Sequence, residues 1–201
     1  MSSLLPLFAL DVVLLPGVPL PLHIFEPRYR EMIEECLAQK QPFGVVRAKE
    51  EGVADVGCTA DITRVAKKYP DGRMDILTEG RRRFEVMEVN QERAFPRAEV
   101  FYLNDEPGAP AADEIARVMK LHSEIMALAG AESDARADDP QMSFKLAGSL
   151  PLDLDFKQTL LGINSEAERV QAVITCFETI LPNLRRTVEV RKRAGGNGHV
   201  H

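Results

Sequence analysis

The sequence predicts an α+β fold, and three features predict it. Strand-type patterns fill the chain from Leu4 to about Asn104, helix-type patterns fill it after Pro107, and a stretch rich in Asp, Glu, Pro and Gly from Asn104 to Ala112 separates the two. Strands and helices segregated along a chain indicate α+β, whereas regular alternation would indicate a wound parallel sheet. The predicted division falls near Gly108, giving a β-rich part over 1–107, a helical part over 108–193 and a disordered tail over 194–201.

In the first part, Leu20, Leu22 and Ile24 alternate with Pro21, His23 and Phe25, which makes a pleated segment with two usable faces. Pro16, Pro19 and Pro21 cannot donate to a ladder, so the stretch from Leu14 to Leu22 belongs at an edge or in a loop leaning on the sheet. Pro27 suits a first helical turn. Beyond it Tyr29, Met32, Ile33, Cys36 and Leu37 form one apolar stripe at helical spacing. Phe43 to Arg47 and Thr59 to Lys67 read as strands. Tyr69-Pro70-Asp71-Gly72 is a turn with a mechanism, since Pro presets φ, Asp bonds its own backbone and Gly accepts positive φ. Met74 to Thr78 therefore returns as a hairpin arm, and a tight turn at Gly80 is predicted to lead into Arg83 to Val89. Apolar parity slips there between Phe84, Val86 and Met87, Val89, which predicts a bulge or a two-sided strand. Ala98 to Leu103 closes the set.

In the second part, Ile115, Val118, Met119, His122, Ile125 and Met126 trace a helical face that Gly130 ends. Residues 131–140 are small, polar and acidic and read as a mobile loop. Gln141 to Ala147 makes one or two helical turns stopped by Pro151. Phe156 to Leu161 makes a short helix capped by Asp155, with Gln158 in the capping-box position. Ser165 and Glu168 form the capping box of the last helix, whose stripe is Val170, Val173, Ile174, Phe177, Ile180, Leu181 and Leu184. Pro182 predicts a kink or break, and disorder is expected beyond Val190.

At 201 residues the chain can bury a sizeable core. The formal charge of −6 disfavours sequence-independent phosphate binding, so nucleic acid is an unlikely partner. Cys36, Cys58 and Cys176 are odd in number and far apart, which predicts free, mostly buried thiols in a reducing compartment. The apolar N-terminus lacks a basic segment and carries Asp11, unlike a secretory signal. No run approaches the roughly 20 apolar residues of a membrane span, so a cytoplasmic location without membrane contact is expected.

Candidate chemistry is sparse. His23 has no second His or Cys at ligand spacing, and His122 sits on an apolar helix face, so both read as structural. His199 and His201 form a tail pair without preorganised geometry. Glu26 fits a helix start, where a carboxylate accepts orphan N–H groups. No nucleophile elbow, paired acid or Cys/His constellation is readable, so no catalysis, cofactor or metal is expected. Arg81-Arg82-Arg83 is the densest basic run. On a strand at most two of its side chains share a face; its simplest role is to keep an edge strand from pairing, and the alternative is to meet an anionic partner or acidic peptide.

Leu14-Leu15-Pro16-Gly17 with the segment through Arg30, then Val56-Gly57-Cys58-Thr59-Ala60-Asp61-Ile62, Asp71-Gly72-Arg73 and Thr78-Glu79-Gly80-Arg81-Arg82-Arg83-Phe84, resemble in order the pattern of the amino-terminal substrate-binding domain of Lon proteases, in its stand-alone form. The resemblance spans roughly residues 5–190. It implies a PUA-like mixed β pseudo-barrel followed by a C-terminal helical bundle, and a grip on protein chains without chemistry. No G-x-x-x-x-G-K-[ST] is present to hold a nucleoside triphosphate, and the chain ends before a peptidase segment would begin.

The resulting expectation is a non-catalytic polypeptide-binding domain whose partners are unfolded or partner chains, an adaptor in proteolysis or quality control. Its binding surface is expected to include Val18, Pro19, Pro21, His23, Phe25, Arg81 and Arg83, because a sheet edge with apolar pockets accepts extended peptide. Leu20 is assigned to the core, while Val18 and Phe25 fit either core or surface. The alternatives are RNA binding on the barrel and a small-molecule pocket between barrel and helices.

Overall fold

A hairpin of two long strands organises the β-rich half. The computed structural model describes residues 4–196, with strands β1 (Leu5–Leu10), β2 (Pro19–Ile24), β3 (Phe43–Arg47), β4 (Val56–Lys68), β5 (Met74–Asn90) and β6 (Arg97–Tyr102), and helix α1 (Pro27–Gln39) between β2 and β3. Helices α2 (Ala112–Leu128), α3 (Met142–Gly148), α4 (Leu154–Gly162) and α5 (Glu166–Gly196) follow. The α+β segregation is as the sequence predicts.

The β4–β5 turn forms as expected: Tyr69 N–H donates to Arg73 O at 2.9 Å, Gly72 has φ 86°, and Asp71 Oδ1 accepts from the Arg73 N–H at 3.1 Å. Strand β1 runs parallel to β3 over Leu7 to Leu10 and antiparallel to β6 at Leu5 and Pro6. Since β3 pairs β4, β4 pairs β5 and β5 pairs β6, five strands close a ring, the pseudo-barrel. Strand β2 lies outside this ring, bonded to β5 alone from Pro19↔Glu79 to Ile24↔Met74. Inside the ring sit Leu5, Leu7, Val46, Phe84 and Ala98. Phe84 is admitted because Gly44 and Gly57 have no side chain: a Cβ on either would lie 2.6 Å from its ring tip.

No turn occurs at Gly80. β5 continues through it, and the loop before β2 lies against it instead, with Gly80 N–H donating to Val18 O at 3.0 Å and Gly17 N–H donating to Gly80 O at 2.8 Å. The expected bulge is present between Val86 and Glu88. A second register shift, between Cys58↔Arg83 and Ala60↔Gly80, adds one residue to β5 and resets the arginine run.

The helix expected at Pro27 buries Tyr29, Met32, Ile33 and Cys36. Glu26 does not cap it with its side chain, which instead accepts from Arg28 Nε at 2.9 Å. At α4 the cap is Asp153, accepting from the N–H groups of Asp155 and Phe156 at 2.8 and 3.1 Å, and Gln158 donates to Val56 O at 3.0 Å. Helix α5 keeps half of its predicted box, Glu168 N–H to Ser165 Oγ at 3.4 Å. It passes through Pro182 without a break and continues past Val190 to Gly196. The rest of the tail, with His199 and His201, lies outside the described residues.

Residues 103–111 carry neither helix nor strand, yet they are tied down. Leu103 N–H donates to Arg83 O, Glu106 N–H to Asn164 O, and the Asp105 carboxylate accepts from both Arg83 and Arg169. One buried apolar cluster runs from Phe8, Ile24, Met32 and Phe43 through to Val118, Phe144, Val173 and Phe177, so strands and helices share a core. No described helix is long and apolar enough to cross a membrane.

Candidate functional site

Five of the seven predicted surface residues converge on the outward face of the β2–β5 ribbon. Pro19, Pro21, His23 and Phe25 are exposed along β2, and Arg81 joins them by sharing its guanidinium between Asp61 at 3.2 Å and Glu79 at 3.0 Å, the residue paired with Pro19. His23 Nδ1 stands 2.6 Å from Asp75 Oδ1, and Tyr69 donates to Asp75 Oδ2 at 2.8 Å. These bonds, that of His23 first, hold the Asp75 carboxyl below its usual range. Phe25 is 58% exposed and stacks on the His23 ring. The free edge of β2 is a poor template for an added strand, because Pro19 and Pro21 offer no N–H. Only the face is available.

The other two residues do not belong to that face. Val18 turns toward α3, where it packs over Gly148. Arg83 is buried, donating to Leu161 O, Ile163 O, Asp105 and Asn164 at the seam between barrel and helices. Its removal from the surface follows from the extra residue in β5, which leaves Arg81 and Arg82 exposed together. β5 is a central strand, so the arginines do not guard an edge, and with Arg83 buried and Arg81 paired they form no open basic patch for RNA.

A concavity lies among the helices rather than between barrel and helices. It is a groove of about 850 Å³ whose floor is α5, with Ile125 of α2 on one side and Leu152 and Phe156 on the other. Along α5 the lining runs Ala172, Cys176, Ile180, Leu184 with Thr175, Thr179 and Thr187 beside them. Each threonine hydroxyl donates to the carbonyl four residues back, at 3.0 Å to Gln171, 2.8 Å to Thr175 and 2.9 Å to Asn183. The helix thus satisfies its own hydroxyls and presents methyl groups. The sixteen residues of α5 from Ala172 to Thr187 give the groove a length of about 22 Å. Burial pushes the Cys176 thiol up and the Lys157 ammonium down, the latter donating to Leu150 O. Ile180 and Leu184 already stand out in the sequence as part of the α5 stripe, but the threonine row does not, because its apolar character comes from back-bonding.

A second cavity, of about 460 Å³, is lined by Gly17, Val18, His122 and Ser149 among others and sets a histidine between two serines. His122 is buried, with Nδ1 2.8 Å from Ser133 Oγ and Nε2 2.8 Å from Ser149 Oγ. Ser149 donates its own proton to Leu146 O at 2.9 Å. Nε2–H therefore donates to Ser149, the reverse of the direction that would activate it, while Ser133 donates to Nδ1 of a ring whose other nitrogen faces Ser149 in place of an orienting carboxylate. The cluster pins the 131–140 loop, through Ser133, to the end of α3. Burial holds the His122 pKa below the ordinary 6.5, against the opposing pull of Asp134. The unfolded chain takes up a proton near pH 6.5 that the folded chain refuses until lower pH, so stability falls as pH drops below 6.5. Urea midpoints at pH 5 and pH 7 should differ in the wild type, and His122→Gln should flatten the difference. Among the described residues no group of three His, Cys, Asp or Glu stands close enough to hold a metal. Cys36, Cys58 and Cys176 are free thiols, the first two buried with pKa values raised to about 11 and about 12 by desolvation.

Comparison with known proteins agrees with this architecture. Residues 4–178 match the family model of the ATP-dependent protease La (LON) substrate-binding domain. The chain is similar to a Lon protease of Parabacteroides distasonis, 34% identical over 103 residues, and to Lon protease 1 of Hydrogenovibrio crunogenus, 24% identical over 205 residues. Those alignments cover 47% and 91% of this chain but only 12% and 24% of the relatives, so the chain spans a quarter of their length or less. The crystal structure of a Lon N-terminal domain protein from Xanthomonas campestris superposes with TM-score 0.70 at 26% identity, covering 86% of this chain and 98% of that one. The N-terminal domain of a Mycobacterium avium complex Lon protease, with TM-score 0.64 at 19% identity and coverages of 88% and 98%, shares the fold.

Proposed function

This chain belongs to the LON substrate-binding domain family, and from that premise we propose that it is a non-catalytic receptor for apolar polypeptide segments, an adaptor in proteolysis or protein quality control, with the α2–α4–α5 groove as its docking site. The observation that carries the reading is the groove itself: about 22 Å of helix surface on which each threonine hydroxyl donates back to its own helix and leaves a largely apolar lining. Such a surface accepts side chains by shape and apolarity and reads no sequence. Shallow docking without a deep anchor gives affinities of about micromolar, roughly 8 kcal/mol. The β2 face with Pro19, Pro21, His23, Phe25 and Arg81 is the secondary surface, since its one large apolar contributor is Phe25. Free cysteines suit work in a reducing compartment such as the cytoplasm.

The test is retention of a urea-unfolded client chain and suppression of its aggregation. Ile180→Asp places a charge on the groove floor and is expected to weaken client binding at least tenfold, about 1.4 kcal/mol, while Phe25→Ser costs threefold or less. Equal loss in both variants would move the site to the β2 face. No effect of the wild-type protein on the client would overturn the proposal.

A further inference from the structure

The outward face of the β5–β6 ribbon is separate from both surfaces above. Met87 and Phe101 are 62% and 61% exposed on it. Glu85 lies directly across from Phe101, and the bulge between Val86 and Glu88 sets Met87 and Glu88 together opposite Glu99. A bulge re-aims side chains, and here two apolar groups and three carboxylates project from one patch. Glu85, Glu88 and Glu99 are exposed and make no ion pair among the described residues. Elsewhere on the barrel Asp61, Asp71, Asp75 and Glu79 each have a cationic or histidine partner. On the same two strands, Arg82 lies over the Tyr102 ring and Arg97 turns to Glu35. Glu88 and Glu99 are direct cross-strand partners, an arrangement that destabilises a sheet.

From this geometry we propose that the β5–β6 face docks a basic, apolar segment of a protein partner, its cations seated between Glu88 and Glu99 and its apolar side chains on Met87 and Phe101. Charge selects the occupant. A nucleic acid or an anionic membrane carries the same sign as the patch, and a second copy of this face would bring its own three carboxylates against them. A cation placed between opposed glutamates relieves their repulsion, and apolar side chains beside it cover the two exposed hydrophobic groups. The proposal does not rest on the groove, so the two can fail separately.

A fluorescein-labelled peptide of alternating Lys and Leu serves as probe, beside peptides with Glu or Ser replacing Lys and with Ser replacing Leu. Anisotropy on the full chain is expected to show binding of the Lys–Leu peptide that weakens with salt, with amide shifts concentrated at Met87 to Val89 and Glu99 to Phe101. Met87→Ser with Phe101→Ser, and separately Glu85→Gln with Glu88→Gln and Glu99→Gln, should each weaken it about tenfold. Ile180→Asp should leave the amide shifts at Met87 to Val89 and Glu99 to Phe101 in place. The glutamine variant should melt no lower than the wild type, since it removes a repulsion. The proposal is overturned if the Lys–Leu peptide does not bind, if the Glu peptide binds as well, if shifts map to the groove alone, or if either face variant binds like the wild type.

Discussion

Arg169→Met is expected to lower the unfolding free energy by about 3–5 kcal/mol, which for a chain of this size moves the thermal midpoint by roughly 10 °C. Arg169 is fully buried. Its guanidinium donates to Ser143 Oγ at 3.1 Å, to Glu166 Oε2 at 2.7 Å, to Ile163 O at 2.7 Å and to the Asp105 carboxylate, and it lies 4.3 Å from the centre of the Phe144 ring. Arg83 approaches the same ring from β5 and shares both Asp105 and the Ile163 carbonyl. Two cations and two carboxylates thus balance at the seam that joins barrel, linker and helix, with Arg83, Arg169 and Glu166 shielded and Asp105 at its open rim. Burial lowers the Arg83 pKa, yet an arginine stays charged far above neutral pH. Removing Arg169 leaves Glu166 with only its Ser143 partners and Asp105 with only Arg83. The uncompensated charge of the shielded Glu166 is the costly outcome, far more so than that of the exposed Asp105 or the loss of an exposed pair such as Arg136–Asp138. Arg83→Met should cost less, because Ile163 O keeps Arg169, though Leu161 O loses its donor. The double variant should cost clearly less than the sum, since both arginines bond Asp105. Urea denaturation followed by circular dichroism measures all three. A loss below about 1 kcal/mol for Arg169→Met would show that water reaches the seam.

That seam also marks what the amino-acid sequence could and could not convey. The hairpin turn at Tyr69 to Gly72, the bulge after Val86 and the α1 stripe were legible because each is set by neighbours within a few residues. Arg83 was not legible. Its direction depends on an extra residue in β5 and on carbonyls about 80 positions away, and an alternating pattern carries neither. Asp155 looked like the α4 cap because both Asp153 and Asp155 are chemically competent, and the choice is made by backbone placement after Pro151. The parallel pairing of β1 with β3 has no local signature at all. For the candidate sites, Pro19, Pro21, His23 and Phe25 could be placed on one face by counting in twos, whereas the groove required knowing which residues of α5 the other helices leave uncovered. Long-range placement, not residue chemistry, was the missing information in each case.

Gly80→Ala is the second large effect, expected to cost about 3 kcal/mol. Gly80 does not have positive φ, so alanine is conformationally acceptable there, and rigidifying the unfolded chain would by itself return roughly 0.4–1 kcal/mol. The loss is steric. A Cβ at Gly80 would stand 2.2 Å from Leu15 O and 2.9 Å from Leu15 C, both backbone atoms with no rotamer to escape through. The strand and the loop are further locked by the bonds from Gly80 N–H to Val18 O and from Gly17 N–H to Gly80 O. Relief therefore means moving the whole Leu14 to Val18 loop, and with it the start of β2 at Pro19. Gly148→Ala makes the contrast: its Cβ would meet Val18 Cγ2 at 2.3 Å, but that is a half-buried side chain able to rotate, so about 1 kcal/mol is expected. If the loop is the seat of β2, Gly80→Ala should also perturb amide resonances from Pro19 to Phe25 while leaving those of α4 and α5 in place. Equal stability of the two alanine variants would mean that the loop yields as readily as a valine side chain, and the exposed β2 face would then be a mobile flap rather than a fixed surface.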